Sequence, residues 1–168
     1  MKLIIGLGNP GSKYIKNRHN AGHLFIDAIG SPAGSLQHDG VKVLKTNTFM
    51  NDSGRFVKSA INNGQWAIND LYIVHDDLDI PLGQYKIQFG VGPKVHNGIL
   101  SIENSLNSKD FWRIRIGVDN RKKDAIVSLQ HDTGADYVLQ DFTGEELEIL
   151  KQVQDDIYAE LKKRFIKN

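Results

Sequence analysis

Lys2-Leu3-Ile4-Ile5-Gly6-Leu7-Gly8-Asn9-Pro10-Gly11 is a short apolar run that stops in glycine, asparagine and proline. A run this brief, ended by turn-forming residues, reads as a buried strand over Lys2–Leu7. Outward from it, Ala21, Leu24, Phe25, Ala28 and Ile29 recur at helical spacing from Asn20, and Gly30 closes them. Val41–Lys45 reads as a strand, and Phe56, Val57, Ala60 and Ile61 mark a second helix. Leu71–Val74 looks like a central strand and Gln84–Phe89 a half-buried one. Ile99, Ile102 and Leu106 predict a third helix after Asn97-Gly98. In Phe111–Val118, Phe111, Arg113 and Arg115 fall on one side of a strand, and Trp112, Ile114 and Ile116 on the other. Thr143 and Glu146 form a capping box ahead of Leu147, Leu150, Val153, Ile157 and Leu161, the last helix. Strands and helices alternate throughout. That order predicts an α/β fold, one domain over residues 1–168 with a mixed, mostly parallel twisted sheet flanked by helices. Asn120–Thr133 is the one long loop expected, with Arg121-Lys122-Lys123 inside it.

A chain of 168 residues buries about 70% of its unfolded surface, enough for a core without disulfides or metal. Cysteine is absent, which excludes thiol catalysis, Cys-ligated zinc and a disulfide scaffold, and agrees with a reducing compartment. The opening apolar run is too short for a signal sequence, and no stretch approaches the length of a membrane helix. A cytoplasmic protein without membrane contact is expected. Net charge is +1, so any nucleic-acid contact must rest on a local patch.

Gly6-x-Gly8-x-x-Gly11 after a strand spells the dinucleotide-binding fingerprint, but the surroundings disagree. That motif needs its third glycine at the opening of a helix and an acid about 20 residues on, at the end of the next strand. Ser12-Lys13-Tyr14-Ile15-Lys16-Asn17-Arg18 shows no apolar stripe, and Asp27 lies inside a helical pattern. A strand-to-turn glycine cluster is the better reading.

His19 stands at the start of a helix, and its ordinary pKa near 6.5 suits it to take and return a proton at neutral pH. It needs an orienting acceptor, and His75-Asp76-Asp77-Leu78-Asp79 offers carboxylates just past the run Leu71–Val74. The plainer readings are a solvated acidic turn before Pro81 or a divalent-cation site, and three aspartates without further spaced ligands are a weak metal signal. Asn9, Asn51 and Asn97 suit turns or helix caps, and their amides also suit donation to a carbonyl oxygen gaining charge. Composition alone leaves both roles open. Ser53 does not sit in a G-x-S-x-G elbow, which disfavours a serine triad.

Gly6-Leu7-Gly8-Asn9-Pro10-Gly11-x-x-Tyr14 with Asn17-Arg18-His19-Asn20-Ala21-Gly22 closely resembles the opening signature of bacterial-type peptidyl-tRNA hydrolases. The resemblance continues through Thr48-Phe49-Met50-Asn51-x-Ser53-Gly54 and His75-Asp76-Asp77-Leu78-Asp79-x-Pro81-x-Gly83. It runs on through His96-Asn97-Gly98, Phe111-x-Arg113-x-Arg115-x-Gly117 and Asp136-Tyr137-Val138-Leu139-x-x-Phe142. Six ordered blocks span nearly the whole chain.

The resemblance implies a metal-free, cofactor-free esterase that cuts the bond between a nascent peptide and the 3′-ribose of tRNA, acting as a monomer on peptidyl-tRNA. It makes His19 the base and Asp76 the carboxylate that orients it; in the mechanism expected from these residues, Asn51 is a catalytic donor to the oxyanion. Asn9, Tyr14, Met50, Asn51 and Asn97 would contact substrate, and Lys86, Lys94, Arg113 and Arg115 the tRNA phosphates, with Arg121–Lys123 as further cations. The other reading is an RNA-binding relative with little esterase activity. It is motivated by departures from the family: Gly90-Val91-Gly92-Pro93-Lys94-Val95 replaces a glycine-rich loop, and Gln88 stands where many relatives carry lysine. Gly117-Val118-Asp119-Asn120-Arg121 departs as well, and the chain is short between Gly30 and Val41. Pro93 and Val95 restrict the backbone, so that loop is expected to gate the site less readily.

Overall fold

The structure, a computed structural model, describes residues 1–30, 40–121 and 133–166. The elements are β1 (Lys2–Gly6), α1 (Ala21–Ile29), β2 (Val41–Lys45), α2 (Ser53–Gly64), β3 (Leu71–Pro81), β4 (Tyr85–Phe89), α3 (Asn97–Leu106), β5 (Trp112–Asp119), α4 (Gly134–Val138) and α5 (Gly144–Ile166). The strands form one five-stranded sheet in the order β2-β1-β3-β5-β4. β4 at the edge is antiparallel to β5, and the other pairings are parallel. The mixed, mostly parallel α/β sheet expected from the sequence is what forms.

Alternation along the strands builds two cores. Ile4, Tyr72, Val74, Ile114 and Ile116 meet Phe25 and Ile29 of α1 and Val153, Ile157 and Leu161 of α5. Leu3, Ile5, Leu71, Ile73 and Phe111 meet Val57 of α2 and Ile99 and Ile102 of α3. The last helix starts as its sequence dictates: Thr143 Oγ1 accepts from Glu146 N at 3.2 Å and Glu146 Oε2 from Thr143 N at 2.9 Å.

The glycines of the opening run serve packing. A Cβ on Gly6 would overlap the carbonyl oxygen of Gly22, so α1 lies directly against the end of β1. The helix that would open the dinucleotide motif is instead a 3-10 turn over Ser12–Tyr14.

Two elements differ from the sequence reading. The central strand does not stop at Val74 but continues to Pro81, because β5 pairs with it from Tyr72↔Trp112 to Asp77↔Gly117. Five-residue α4, capped by Thr133 Oγ1 on Asp136 N at 3.2 Å, is too short to show a period. Most of the loop expected over Asn120–Thr133, with Lys122 and Lys123, lies outside the described residues, as does most of the shortened segment between Gly30 and Val41.

Candidate active site

The carboxyl ends of β1 and β3 deliver the polar residues to one place, where ligand sites of open α/β sheets form. Asp76 comes from β3, Asn9 from the turn after β1, and His19 from a 3-10 turn over Arg18–Asn20. Met50 and Asn51 come from a second 3-10 turn, and His96 and Asn97 from the start of α3. They line a cleft of about 710 Å³ whose apolar wall includes Phe49, Leu78, Val95, Val138 and Leu139. His19, Asp76, Asn51, Asn9, Met50 and Asn97 of the expected site therefore share one cleft. Tyr14 packs behind it, edge-on to Phe49 with ring centroids 6.3 Å apart.

His19 Nδ1 lies 2.9 and 3.0 Å from the two oxygens of Asp76. An ionised carboxylate only accepts, so Nδ1 carries the proton and Nε2 keeps a free lone pair. Burial opposes the imidazolium, but the charge and hydrogen bonds of Asp76 outweigh it, and His19 titrates above the ordinary histidine value. For Asp76 burial works against the anion, and the two flanking imidazoles overcome it, holding the carboxyl far below its usual range.

His96 is the second of those imidazoles, with Nε2 2.9 Å from Asp76 Oδ1. Its Nδ1 accepts from Ile99 N at 3.3 Å and caps α3. The backbone N–H fixes Nδ1 as acceptor, so Nε2–H is the donor to Asp76. Sequence reading passed over His96 because Asn97 beside it suits both a cap and a substrate contact. The cap is His96, and Asn97 is the first residue of the helix. Likewise Asp52, not Asn51, holds the N-cap position of α2 and makes no side-chain cap bond.

His75 faces the other side of β3, fully buried. Its Nδ1 donates to the Asp76 carbonyl at 2.7 Å, and its ring meets that of His96 edge-on at 4.9 Å. Burial first, then His96, pushes its pKa well down, so it stays neutral.

Asn9 is fixed by two bonds to Asn20, N to Oδ1 at 2.9 Å and O to Nδ2 at 3.0 Å. Its side-chain oxygen accepts from Met50 N at 2.9 Å, which leaves its NH₂ as the donor on the cleft. Asn51 is exposed in the same cleft.

His19, Asp76 and His96 also place three potential ligand atoms within 4.8 Å of one another. Two imidazoles and a carboxylate suit a divalent transition metal. Here, however, a metal would have to displace both imidazole protons, and the Ile99 N–H blocks the His96 tautomer that would follow. In the hydrogen-bonded arrangement described, both imidazoles donate to Asp76.

The basic residues divide. Arg113 is a correction: its side chain is 0% exposed, bound to Glu103 at 2.7 Å and stacked on Phe111, so it cannot reach a phosphate. Arg115 is nearly buried, its Nε on Asp77 at 2.7 Å and Nη1 on Gln88 at 2.6 Å, while Nη2 takes neither bond. Lys86 is exposed opposite Arg115 in the β4–β5 register, and Lys94 is exposed in the following loop. That loop is tied down. A Cβ on Gly92, whose φ is +70°, would overlap the Arg115 guanidinium, and Lys94 N donates to Asp79 Oδ2 at 3.2 Å.

The family model described as Peptidyl-tRNA hydrolase matches residues 3–168. The chain is 39% identical over 169 residues to the peptidyl-tRNA hydrolase of Citrifermentans bemidjiense, covering 92% of this chain and 86% of that one. It is 38% identical over 164 residues to the peptidyl-tRNA hydrolase of Mycoplasmopsis synoviae, covering 91% and 83%. The crystal structure of peptidyl-tRNA hydrolase from Acinetobacter baumannii aligns with a TM-score of 0.79 at 29% identity, over 96% of this chain and 87% of that one.

Proposed function

The chain belongs to the peptidyl-tRNA hydrolase family and hydrolyses the ester of peptidyl-tRNA, and from that premise we propose which of its residues do so. The observation that carries the assignment is His19, held through Nδ1 on both oxygens of buried Asp76 at the wall of the cleft. Nε2 takes a proton from water as the water oxygen attacks the ester carbonyl carbon. The imidazolium is stabilised by Asp76, and it returns the proton to the ribose 3′-oxygen as the C–O bond breaks. Free peptide and tRNA leave, and the tRNA returns to translation. A positioned base of this kind is worth about 10²–10⁴ in rate. The exposed amide of Asn51 donates to the oxyanion, a contribution of about 10²–10³. Asn9 NH₂ and Asn97 hold the substrate beside Met50, and Tyr14 supports the Phe49 wall.

The phosphates of the tRNA fall to Lys86 on β4, the Nη2 edge of Arg115 opposite it on β5, and Lys94 in the loop after β4. Such contacts give affinity without sequence readout. On this reading the enzyme acts as a monomer in the cytoplasm. No helix of the described residues is long and apolar enough to cross a membrane. The alternative of an RNA-binding relative with little activity is disfavoured by the complete His19–Asp76 pair.

Replacing His19 by alanine tests the assignment. Single-turnover cleavage of peptidyl-tRNA is expected to fall at least about 100-fold while tRNA binding stays intact. A variant that cleaves at near the wild-type rate overturns it.

A further inference from the structure

His19 lies between three buried polar residues that do no chemistry. Asn17, Arg18 and Asn20 are 4%, 5% and 2% exposed, and each is tied to a distant part of the chain. Asn20 holds the turn after β1 through Asn9. Asn17 Nδ2 donates to Asp141 Oδ1 at 2.6 Å, and the two residues form an isolated antiparallel bridge. Arg18 does most. Its Nη2 donates to Glu146 Oε2 at 2.7 Å and its Nη1 to the Asp141 carbonyl at 3.0 Å. Its guanidinium also lies 4.3 Å from the ring centre of Tyr137 and 5.6 Å from that of Phe142.

Glu146 is the capping-box residue of α5, and its other oxygen accepts from Asn120 Nδ2 at 3.0 Å. Tyr137 belongs to α4, and its hydroxyl donates to the Val118 carbonyl at 3.2 Å and accepts from Asn120 N at 3.0 Å. Its neighbours Val138 and Leu139 line the cleft. One guanidinium thus joins the segment that carries the base, the cleft wall on α4, and the start of the last helix. Nothing in hydrolysis requires a buried arginine there, and a buried charge is costly unless well paired.

We propose that Arg18 is a positioning residue: through Glu146, Asp141 and Tyr137 it fixes His19 against Asp76 and against the α4 wall of the cleft. The proposal rests on His19 being the base. A base displaced by about 1 Å loses up to about 100-fold in rate, whereas the phosphate contacts on β4 lie on other elements and are untouched.

The test uses Arg18→Lys and the double variant Arg18→Met with Glu146→Gln. The double variant leaves no unpaired buried charge, and glutamine still serves a capping box. After thermal melts establish folding, single-turnover cleavage of peptidyl-tRNA at saturating enzyme is expected to fall about 10- to 100-fold. The tRNA Kd is expected to stay within about 2-fold, and the downfield proton resonance of His19 Nδ1–H to weaken or shift. Arg18→Lys, which keeps the charge but loses the fork, should show a smaller loss of the same kind. A folded double variant with wild-type rate and an unchanged resonance overturns the proposal. If His19→Ala remains inactive in the same assay, that result sinks the clamp while the catalytic assignment stands.

Discussion

His96 Nε2 stands 2.9 Å from Asp76 Oδ1, the same oxygen that His19 Nδ1 approaches at 2.9 Å. One carboxylate therefore receives two imidazole N–H groups, and the second comes from a residue that also caps α3. The two duties of His96 can be separated. His96→Ala loses both, so single-turnover cleavage should fall about 10-fold through looser holding of Asp76, and stability should drop by about 1 kcal/mol through the lost cap. Asparagine is a strong N-cap but too short to reach Asp76, so His96→Asn should recover the stability and not the rate. Melting curves and single-turnover rates on both variants decide it. Full activity in the asparagine variant would reduce His96 to a cap.

The raised pKa of His19 sets opposite pH trends for rate and stability. A base must be unprotonated, so cleavage should rise with pH through a value above the ordinary 6.5 and then level off. The folded pKa exceeds the unfolded one, so the pair's contribution to stability is complete below the ordinary value and disappears as pH rises through the folded value. Asp76→Asn removes the raising influence, and the rate limb of any residual activity should move to lower pH. A rate profile centred at or below the ordinary histidine value in the wild type would contradict the geometry.

Asp76 and Asp77 are adjacent in β3 and point to opposite faces of the sheet. Asp76 meets the two imidazoles, while Asp77 takes Arg115 Nε at 2.7 Å and Asp79 N at 2.8 Å. Asp76→Asn should cost at least about 100-fold in single-turnover rate, since the amide cannot stabilise the imidazolium. Asp77→Asn should leave chemistry per folded molecule nearly intact and cost about 3–5 kcal/mol in stability, because Arg115 stays buried without its counter-ion. Urea unfolding beside single-turnover assays separates the two. Equal rate losses would point to a shared acidic site instead.

Much of this was legible in the residues, and what was missed has common causes. The opening strand and the Thr143–Glu146 cap depend on neighbours in sequence, and both formed as read. Val74 looked like a strand end because acids follow it, yet parallel pairing with β5 carries the strand on, and each acid finds a partner from elsewhere in the chain. Alternation correctly put Arg113 and Arg115 on the same face as Phe111. It could not reveal that α3 closes over Arg113 with Glu103, since that pairing exists only after packing. His96 was hidden for the same reason: its partner Asp76 is brought to it by the sheet. Arg18 has no role legible from its neighbours in Asn17–Gly22, because its partner Glu146 lies more than a hundred residues away.

Salt dependence of tRNA binding separates the cations that are free from those that are committed. Lys94 is 87% exposed with only a 3.9 Å contact to Asp79, and Lys86 is exposed on the edge strand. Arg113, on the same face of the sheet as Arg115, is fully enclosed. Each phosphate contact releases condensed counterions, so affinity should fall steeply with salt, and each lysine removed should lower the log–log slope by about one unit. Lys86→Ala with Lys94→Ala should therefore flatten the slope by about two units, without altering single-turnover cleavage at saturating enzyme. Arg113→Lys should leave the slope unchanged and lower the melting temperature, because the shorter ammonium cannot keep both the Nη2 bond to Glu103 and the flat contact on Phe111. Filter-binding titrations from low to physiological salt measure the slopes. An unchanged slope in the double-lysine variant would remove Lys86 and Lys94 from the phosphate contacts, and a flattened one in Arg113→Lys would mean that α3 opens to admit the backbone.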